Sequence, residues 1–419
     1  MNILIIGNGG REHALAWQCA KFNHNIFVAP GNAGTQLENN IQNINIAVDD
    51  INSLIDFAKK NTIDLTIVGP EAPLVLGVVD AFQKHNLKIF GPSKDASQLE
   101  GSKAFSKDFM IKHNIPTAFY GVFTDIKKAH NYIKKQGVPI VIKADGLAAG
   151  KGVIIAQSEQ EALDTVTNML EGNQFGNAGH RVVIEEFLTG EEASFIVMAD
   201  GKNALAMATS QDHKARDNGD KGPNTGGMGA YSPAPIVNDK LHKKIMTTVI
   251  QPTIDGMAKD NMPYTGFLYA GLMIDKQDNI KVLEYNCRFG DPETQPIMMR
   301  LKSDLVELCL LALNKNLHNT IASWDNKTAL GVVLSAKGYP NKFKKNEIIT
   351  LPQTDSNNKI FHAGTKLENS SILSNGGRVL CATALGKDVK LAQKNAYELV
   401  DKINWDGAYY RTDIGFKAL

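Results

Sequence analysis

Short apolar runs that stop at glycine or proline recur through the first hundred residues, and they constrain the fold more than any other feature. NILIIG (2–7), NIFVAP (25–30), TIDLTIVGP (62–70) and LKIFGPS (87–93) are rich in β-branched residues. An Ala-rich segment, HALAWQCAKF, separates the first two. Strand, helix, strand at this rhythm predicts βαβ units on a parallel sheet. Ligands on such sheets sit beyond the carboxyl ends of the strands. GNGGRE, PGNAG, GPEAP and GPS all fall there.

A second pattern starts near Gly101. SKAFSKDFMIKHN (102–114) reads as a helix, followed by an extended IPTAFYGVF, a lysine-dotted helix (125–135) and the strand PIVIKA (139–144). RVVIEEFL (181–188) is a strand ending in acids, and ASFIVMAD, ALAMAT, FLYAGLMID and IKVLEYN make the next stretch strand-rich. From about Asn326 the chain reads as a separate α+β segment with a late helix at 387–403. A length of 419 residues points to two to four domains. Lys plus Arg number 45 against 44 Asp plus Glu, so no basic footprint marks a nucleic-acid or anionic-membrane partner. The apolar runs are too short to span a bilayer, and MNILIIG lacks the basic n-region of a signal peptide. Four cysteines without a CxxC pair read as reduced, packed thiols, the expectation for a cytoplasmic protein.

Five stretches carry chemistry. GNGGRE (7–12) follows a strand and opens a helix, so its backbone N–H groups can hold an anion with Arg11 beside it; the alternative is a tight turn with no ligand. With Glu at position 12 it is not GxGxxG, and no acidic ribose partner follows the second strand, which argues against a nicotinamide-dependent oxidoreductase. KADGLAAGKG (143–152) lacks the Ser or Thr of a Walker A loop and reads as a glycine-rich flap over phosphates, with Lys143 beneath it. VIEEFLTGEEAS (183–194) is either an adenine-lining segment or a surface acidic turn. SQDHKARDNGDKGPNTGGMGAYSP (210–233) is a long, polar, ligand-shaping loop in which His213 is given no catalytic role. In EYNCRFGDPETQP (284–296) alternation puts Val282, Glu284, Asn286 and Arg288 on one strand face. The oxygens of Glu284 and Asn286 suit Mg²⁺, and Arg288 suits a carboxylate or a transferring phosphoryl group. Asp291 and Glu293 read as structural partners in the turn.

Lys103, Lys143 with its flap, VIEEFL and Glu284-x-Asn286-x-Arg288 come in the order and spacing of ATP-grasp enzymes. With GNGGREHALAW, IVGPEAPLV, IKADGLAAGKGV, SQDHK, PNTGGMGAYSP, NCRFGDPETQP and FHAGTKL, the whole chain resembles the phosphoribosylamine–glycine ligase (glycinamide ribonucleotide synthetase) family. The resemblance implies an α/β and α+β multidomain fold: a Rossmann-like, biotin-carboxylase-type parallel-sheet domain (1–101), an ATP-grasp core and a small C-terminal α+β domain (326–419). The core would divide into 102–190, with a mobile flap subdomain at about 122–188, and 191–325, with the metal and glycine site. The implied reaction joins glycine to 5-phospho-D-ribosylamine with ATP, through glycyl phosphate, in purine synthesis, using Mg²⁺ or Mn²⁺. Position by position, Lys103, Lys143, Gly146, Gly150, Lys151 and Gly152 would hold ATP phosphates. Glu185, Leu188 and Glu192 would read adenine and ribose, with Glu191 as the alternative to Glu192. Glu284 and Asn286 would bind metal. Asp212 and Arg288 would clamp glycine, with Arg288 and Lys143 catalytic. Gly9, Gly10, Arg11, Asn32 and Glu71 would take phosphoribosylamine. Partners would be these small molecules and, transiently, neighbouring purine-pathway enzymes. Many ATP-grasp enzymes carry a second metal-binding acid about a dozen residues before Glu-x-Asn. Leu272 stands there with Asp275 the nearest acid, so either one metal is held more weakly or another residue serves.

Overall fold

The computed structural model describes residues 1–147, 152–171 and 180–419. The amino-terminal strands form a five-stranded parallel sheet in the order Ile41–Asn43, Asn25–Pro30, Asn2–Gly7, Leu65–Val68, Ile89–Phe90. Both faces of this sheet are covered, so its central strands are apolar throughout: Ile3, Leu4, Ile5 and Ile6 are all fully buried. The chain reverses direction across the sheet beside Asn2–Gly7, and the loops that follow Gly7, Pro30 and Val68 gather at one edge.

Residues 120–186 build a four-stranded antiparallel sheet, ordered Tyr120–Phe123, Val182–Glu186, Ile140–Ala144, Val153–Ala156. Helices Ile126–Gln136 and Glu159–Glu171 cover one face, giving it a small core of its own around Ile133, Ile142, Val166 and Ile184. A third sheet runs Ala204–Ala206, Glu191–Asp200, Thr265–Ile274, Ile280–Asn286, all antiparallel. It shares a core with the parallel sheet: Leu4 and Ile6 belong to the same apolar cluster as Phe195, Leu268 and Val282.

The segment 210–233 corrects one expectation. It is not a loop without structure of its own. Gln211–Asp212 and Gly229–Ser232 pair with each other, and Ala215–Asp217 and Lys221–Asn224 form a hairpin between them. Gly229–Ser232 then pairs with Thr328–Ala336, so this segment extends the carboxy-terminal sheet of Thr328–Ala336, Arg378–Gly386 and Asn358–His362. Its polarity misleads because the strands are short, and the partner that joins them to a larger sheet lies about a hundred residues away. His213 is fully buried here and accepts a hydrogen bond from Gly415 N at 2.9 Å, pinning the segment to the carboxy terminus.

Candidate active site

A cleft of about 580 Å³ opens where the sheets meet. Strand alternation delivers its charged groups. On Ile140–Ala144, Ile142 and Ala144 enter the small core while Lys143 faces the cleft. On Val182–Glu186, Ile184 enters that core and Glu185 faces the cleft. Glu185 sits between two lysines, 2.9 Å from Lys143 and 2.8 Å from Lys107. Burial works to raise its pKa, but Lys143 and Lys107 outweigh that and hold it below the ordinary carboxylate range. Lys107 also donates to Thr117 Oγ1 at 2.8 Å, and that hydroxyl donates to Val282 O at 2.8 Å. The carboxylate is therefore fixed from both sides.

Lys103 starts the helix Lys103–Lys112, which Ser102 caps by accepting from Phe105 N. Its ammonium donates to Gly146 O at 2.8 Å, tying the helix to the start of the glycine-rich stretch. Gly152 and Leu188 also line the cleft, whereas Gly150 and Lys151 lie outside the described residues. Glu192 lines it too and pairs with Lys214 at 2.9 Å; Glu191, adjacent on the strand and on its opposite face, is exposed. Between the two, the geometry favours Glu192.

Glu284, Asn286 and Arg288 line the cleft together. Val282 does not share their face, which corrects the simple alternation. The ladder with Thr265–Ile274 pairs Gly271 with Glu284 but Leu272 with Val282, leaving Leu283 as an extra residue. This bulge reverses the side-chain sense, so Val282 goes into the core and Glu284 into the cleft. It also resolves the count back to Leu272. Leu272 is fully buried in the core, and Gly271 stands opposite Glu284, with room for a Cβ only 3.4 Å from Glu284 Cγ. Asp275 closes the turn after that strand, accepting from Asn279 Nδ2 at 2.9 Å. Thus the neighbouring strand places no acid beside Glu284.

Burial works to raise the Glu284 pKa, but Lys214, Lys143 and Lys103 outweigh it and hold the group at about 2. It is an ionised oxygen donor. Among the described residues no cluster of three or more His, Cys, Asp or Glu is placed to hold a metal. One carboxylate and one amide still fit Mg²⁺, which keeps several waters and shares itself with substrate phosphates.

Arg288 is held by two carboxylates, Glu71 at 3.0 Å and Glu100 at 2.9 Å. Glu100 also accepts from Cys287 N at 2.7 Å, so it fixes both the backbone and the guanidinium. For Glu71, burial is overcome by Arg288 and Arg11, which hold it at about 2. Asp212 lines the same cleft, and burial pushes its carboxyl up against the opposing pull of Lys214.

The five residues expected to take phosphoribosylamine divide among different places. Arg11 and Glu71 line the main cleft. Gly9 and Asn32 line a neighbouring hollow of about 350 Å³, which shares Asp291, Tyr339 and Arg378 with the cleft. Gly10 lines neither; a Cβ there would lie 2.5 Å from Gln295 Nε2. Asn32 caps the short helix Ala33–Leu37, accepting from Gly34 N and Thr35 N, while its amide donates to Asn8 O and His362 O. Its polar atoms are thus committed to structure.

Four residues in this geometry went unassigned in the sequence. Lys107 had a readable signal, one helical turn after Lys103. Lys214 lay within the quoted SQDHK. Glu100 and Arg378 had none, because their partners are distant in the chain. Arg378 donates to Gly226 O at 2.6 Å and to Asp291 O at 2.5 Å, and pairs with Asp291 at 3.1 Å, so Asp291 has the structural partner expected of it. Glu293 accepts from Ser194 Oγ at 3.0 Å, and both acids also line the cleft.

Comparison with known proteins gives a consistent picture across the chain. Residues 1–100, 101–294 and 329–417 match the N domain, the ATP-grasp (A) domain and the C domain of phosphoribosylglycinamide synthetase. The phosphoribosylamine–glycine ligase of Vibrio vulnificus strain YJ016 is 62% identical, over 100% of this chain and 99% of its own length. That of Salmonella typhi is 61% identical over the same shares. A crystal structure of phosphoribosylamine–glycine ligase from Thermotoga maritima superposes with a TM-score of 0.86 at 34% identity, covering 99% of this chain and 100% of that one. The biotin carboxylase domain of Hydrogenobacter thermophilus 2-oxoglutarate carboxylase, solved with MgADP, shares the fold at a TM-score of 0.75 and 15% identity, over 98% and 91%.

Proposed function

The chain belongs to the phosphoribosylglycinamide synthetase family, and from that premise we propose that it joins glycine to 5-phospho-D-ribosylamine at the expense of ATP. The products are glycinamide ribonucleotide, ADP and phosphate. One observation carries the reading: Lys103, Lys143, Glu284, Asn286 and Arg288, drawn from three separate parts of the chain, all face one cleft.

A glycine carboxylate is a poor acyl donor because oxide is a poor leaving group. Its oxygen therefore attacks the γ-phosphorus of ATP, the bond from that phosphorus to the bridging oxygen breaks, and ADP leaves. The amine nitrogen of phosphoribosylamine then attacks the carbonyl carbon of glycyl phosphate. The C–N bond forms, the C–O bond to phosphate breaks, and the nitrogen loses a proton. Such transfers need positioning and charge stabilisation more than covalent help from the protein. Lys103 and Lys143 supply fixed cations for phosphate oxygens, and the segment with Glu185, Leu188 and Glu192 takes adenine and ribose. Arg288 takes the glycine carboxylate and Asp212 its ammonium. Glu284 and Asn286 would hold a divalent ion, Mg²⁺ or Mn²⁺, which would neutralise negative charge on the phosphate oxygens. Arg11 and Glu71 lie on the side left for phosphoribosylamine, with Gly9 and Asn32 in the adjoining hollow.

We also place the protein in the cytoplasm, with transient contacts to neighbouring purine-pathway enzymes. Its balanced charge favours neither nucleic acid nor membrane, and no helix among the described residues is long and apolar enough to cross a membrane. The test is phosphate release from ATP by the purified, Mg²⁺-replete protein. Release is expected only when glycine and phosphoribosylamine are both present. Release that ignores either substrate, or none at all, contradicts the proposal.

A further inference from the structure

We propose that Lys214 is a further catalytic cation of this cleft: a counter-ion to Glu192 and Glu284 before nucleotide binds, and a contact of the transferring phosphoryl group afterwards. The proposal rests on the ligase reading above. Its ammonium lies 2.9 Å from Glu192 and 3.7 Å from Glu284, and the side chain is 29% exposed into the cleft. Asp212 lines the same cleft and also acts on this ammonium, which thus stands among three carboxyl groups.

Among the described residues, no other ammonium group of the cleft forms an ion pair with Glu192 or Glu284. Lys143 and Lys107 share Glu185, and Lys103 donates to a backbone carbonyl. Lys214 differs, because its two partners are the groups assigned to ribose and to metal. Ribose hydroxyls donating to Glu192 and a divalent ion on Glu284 would each remove one of its counter-ions. A displaced ammonium in a partly dry cleft gains most from the next negative charge, and that charge is on the γ-phosphoryl oxygens.

The backbone geometry suits such a swing. The carbonyl of Lys214 accepts from Thr225 N at 2.8 Å and from Thr225 Oγ1 at 2.9 Å. The stem therefore starts from a fixed point, and its four methylenes carry the motion. No bond is made or broken at Lys214; its part is charge stabilisation.

Two readings on the full-length protein test this: glycine-dependent turnover, and Mn²⁺ binding without nucleotide followed by electron paramagnetic resonance of the free ion. Lys214→Met should lower kcat on the order of 100-fold, the loss typical of one preorganised donor, with the glycine KM little changed. Mn²⁺ should at the same time bind several-fold more tightly, because Glu284 has lost its competitor. Lys214→Arg should recover part of kcat. Lys214→Gln serves if the methionine variant does not fold, and the same readings decide it. Unchanged kcat, or metal binding that weakens together with kcat, overturns the proposal. If the unaltered protein shows no turnover with all substrates, the ligase reading fails instead, and the Mn²⁺ titration alone decides whether Lys214 competes for Glu284.

Discussion

The glycine loop at residues 7–12 and the charged stretch at 284–288 both lie at the carboxyl end of a sheet strand, and both read as ligand sites. The structure treats them differently. In the glycine loop Glu12 folds back, accepting from Gly9 N at 2.6 Å and from Arg11 at 2.5 Å. Gly7, at a φ of +137°, and Gly69 make room for it, since a Cβ on either would come within 2.2 Å of Glu12. The glycines serve the chain's own carboxylate, and of this loop Arg11 reaches the cleft. At 284–288 the bulge at Leu283 turns Glu284 outward, toward lysines that hold it ionised. Glycine content reports a close approach, but not whether ligand or protein makes it. A carboxylate surrounded by cations in an open cleft is stronger evidence of a ligand.

That contrast is open to attack by mutation. Glu284→Gln should reduce turnover on the order of 100-fold while lowering the melting temperature far less in proportion, because it weakens the hold on a divalent ion that neutralises the transferring phosphoryl group. Parallel losses in thermal melts and in activity would show that the stretch is structural after all. Arg288→Lys should raise the glycine KM roughly 10- to 100-fold, since one ammonium cannot replace a guanidinium held by two carboxylates. Unaltered glycine affinity would remove Arg288 from the clamp.

In the glycine loop the effect should lie in stability. Glu12→Ala should cost about 1–3 kcal/mol in denaturant unfolding by stranding Gly9 N and the buried Arg11. A stable variant with impaired phosphoribosylamine affinity would instead make the loop a direct ligand site. The smallest effect concerns Glu38, which pairs with His13 at 3.2 Å and with Lys359 across to the carboxy-terminal sheet. Burial opposes its ionisation, but His13 and Lys359 lower it from 4.5 to about 2. A carboxylate depressed on folding stabilises the protein above its unfolded pKa. That contribution is complete above pH 4.5 and lost as pH falls toward 2. Glu38→Gln should flatten this part of the stability–pH curve, and an unchanged curve would dismiss the pair.

Much of this architecture was readable because it depends on local pattern. Four of the five parallel strands announced themselves as apolar runs ending at Gly or Pro, whereas the three-residue edge strand Ile41–Asn43 did not; Lys143, Glu185 and Glu284 stood out as polar residues on otherwise apolar strands. What escaped was set by distant partners. The bulge at Leu283 depends on pairing with Thr265–Ile274, so neither the facing of Val282 nor the burial of Leu272 could be counted from one strand. The strands Gln211–Asp212 and Gly229–Ser232 depend on a sheet completed only by Thr328–Ala336. The helix cap made by Asn32 was not legible either, because helix capping and ligand binding call for the same amide.

The central claim is that nucleotide, metal and glycine meet between Lys143, Glu284 and Arg288. A crystal structure with ADP, Mg²⁺ and glycine bound tests it most directly. The account predicts phosphates beside Lys103 and Lys143, the ion on Glu284 and Asn286, and the glycine carboxylate against Arg288. Nucleotide in the hollow between Asn8 and Arg378, or glycine away from Arg288, would contradict it.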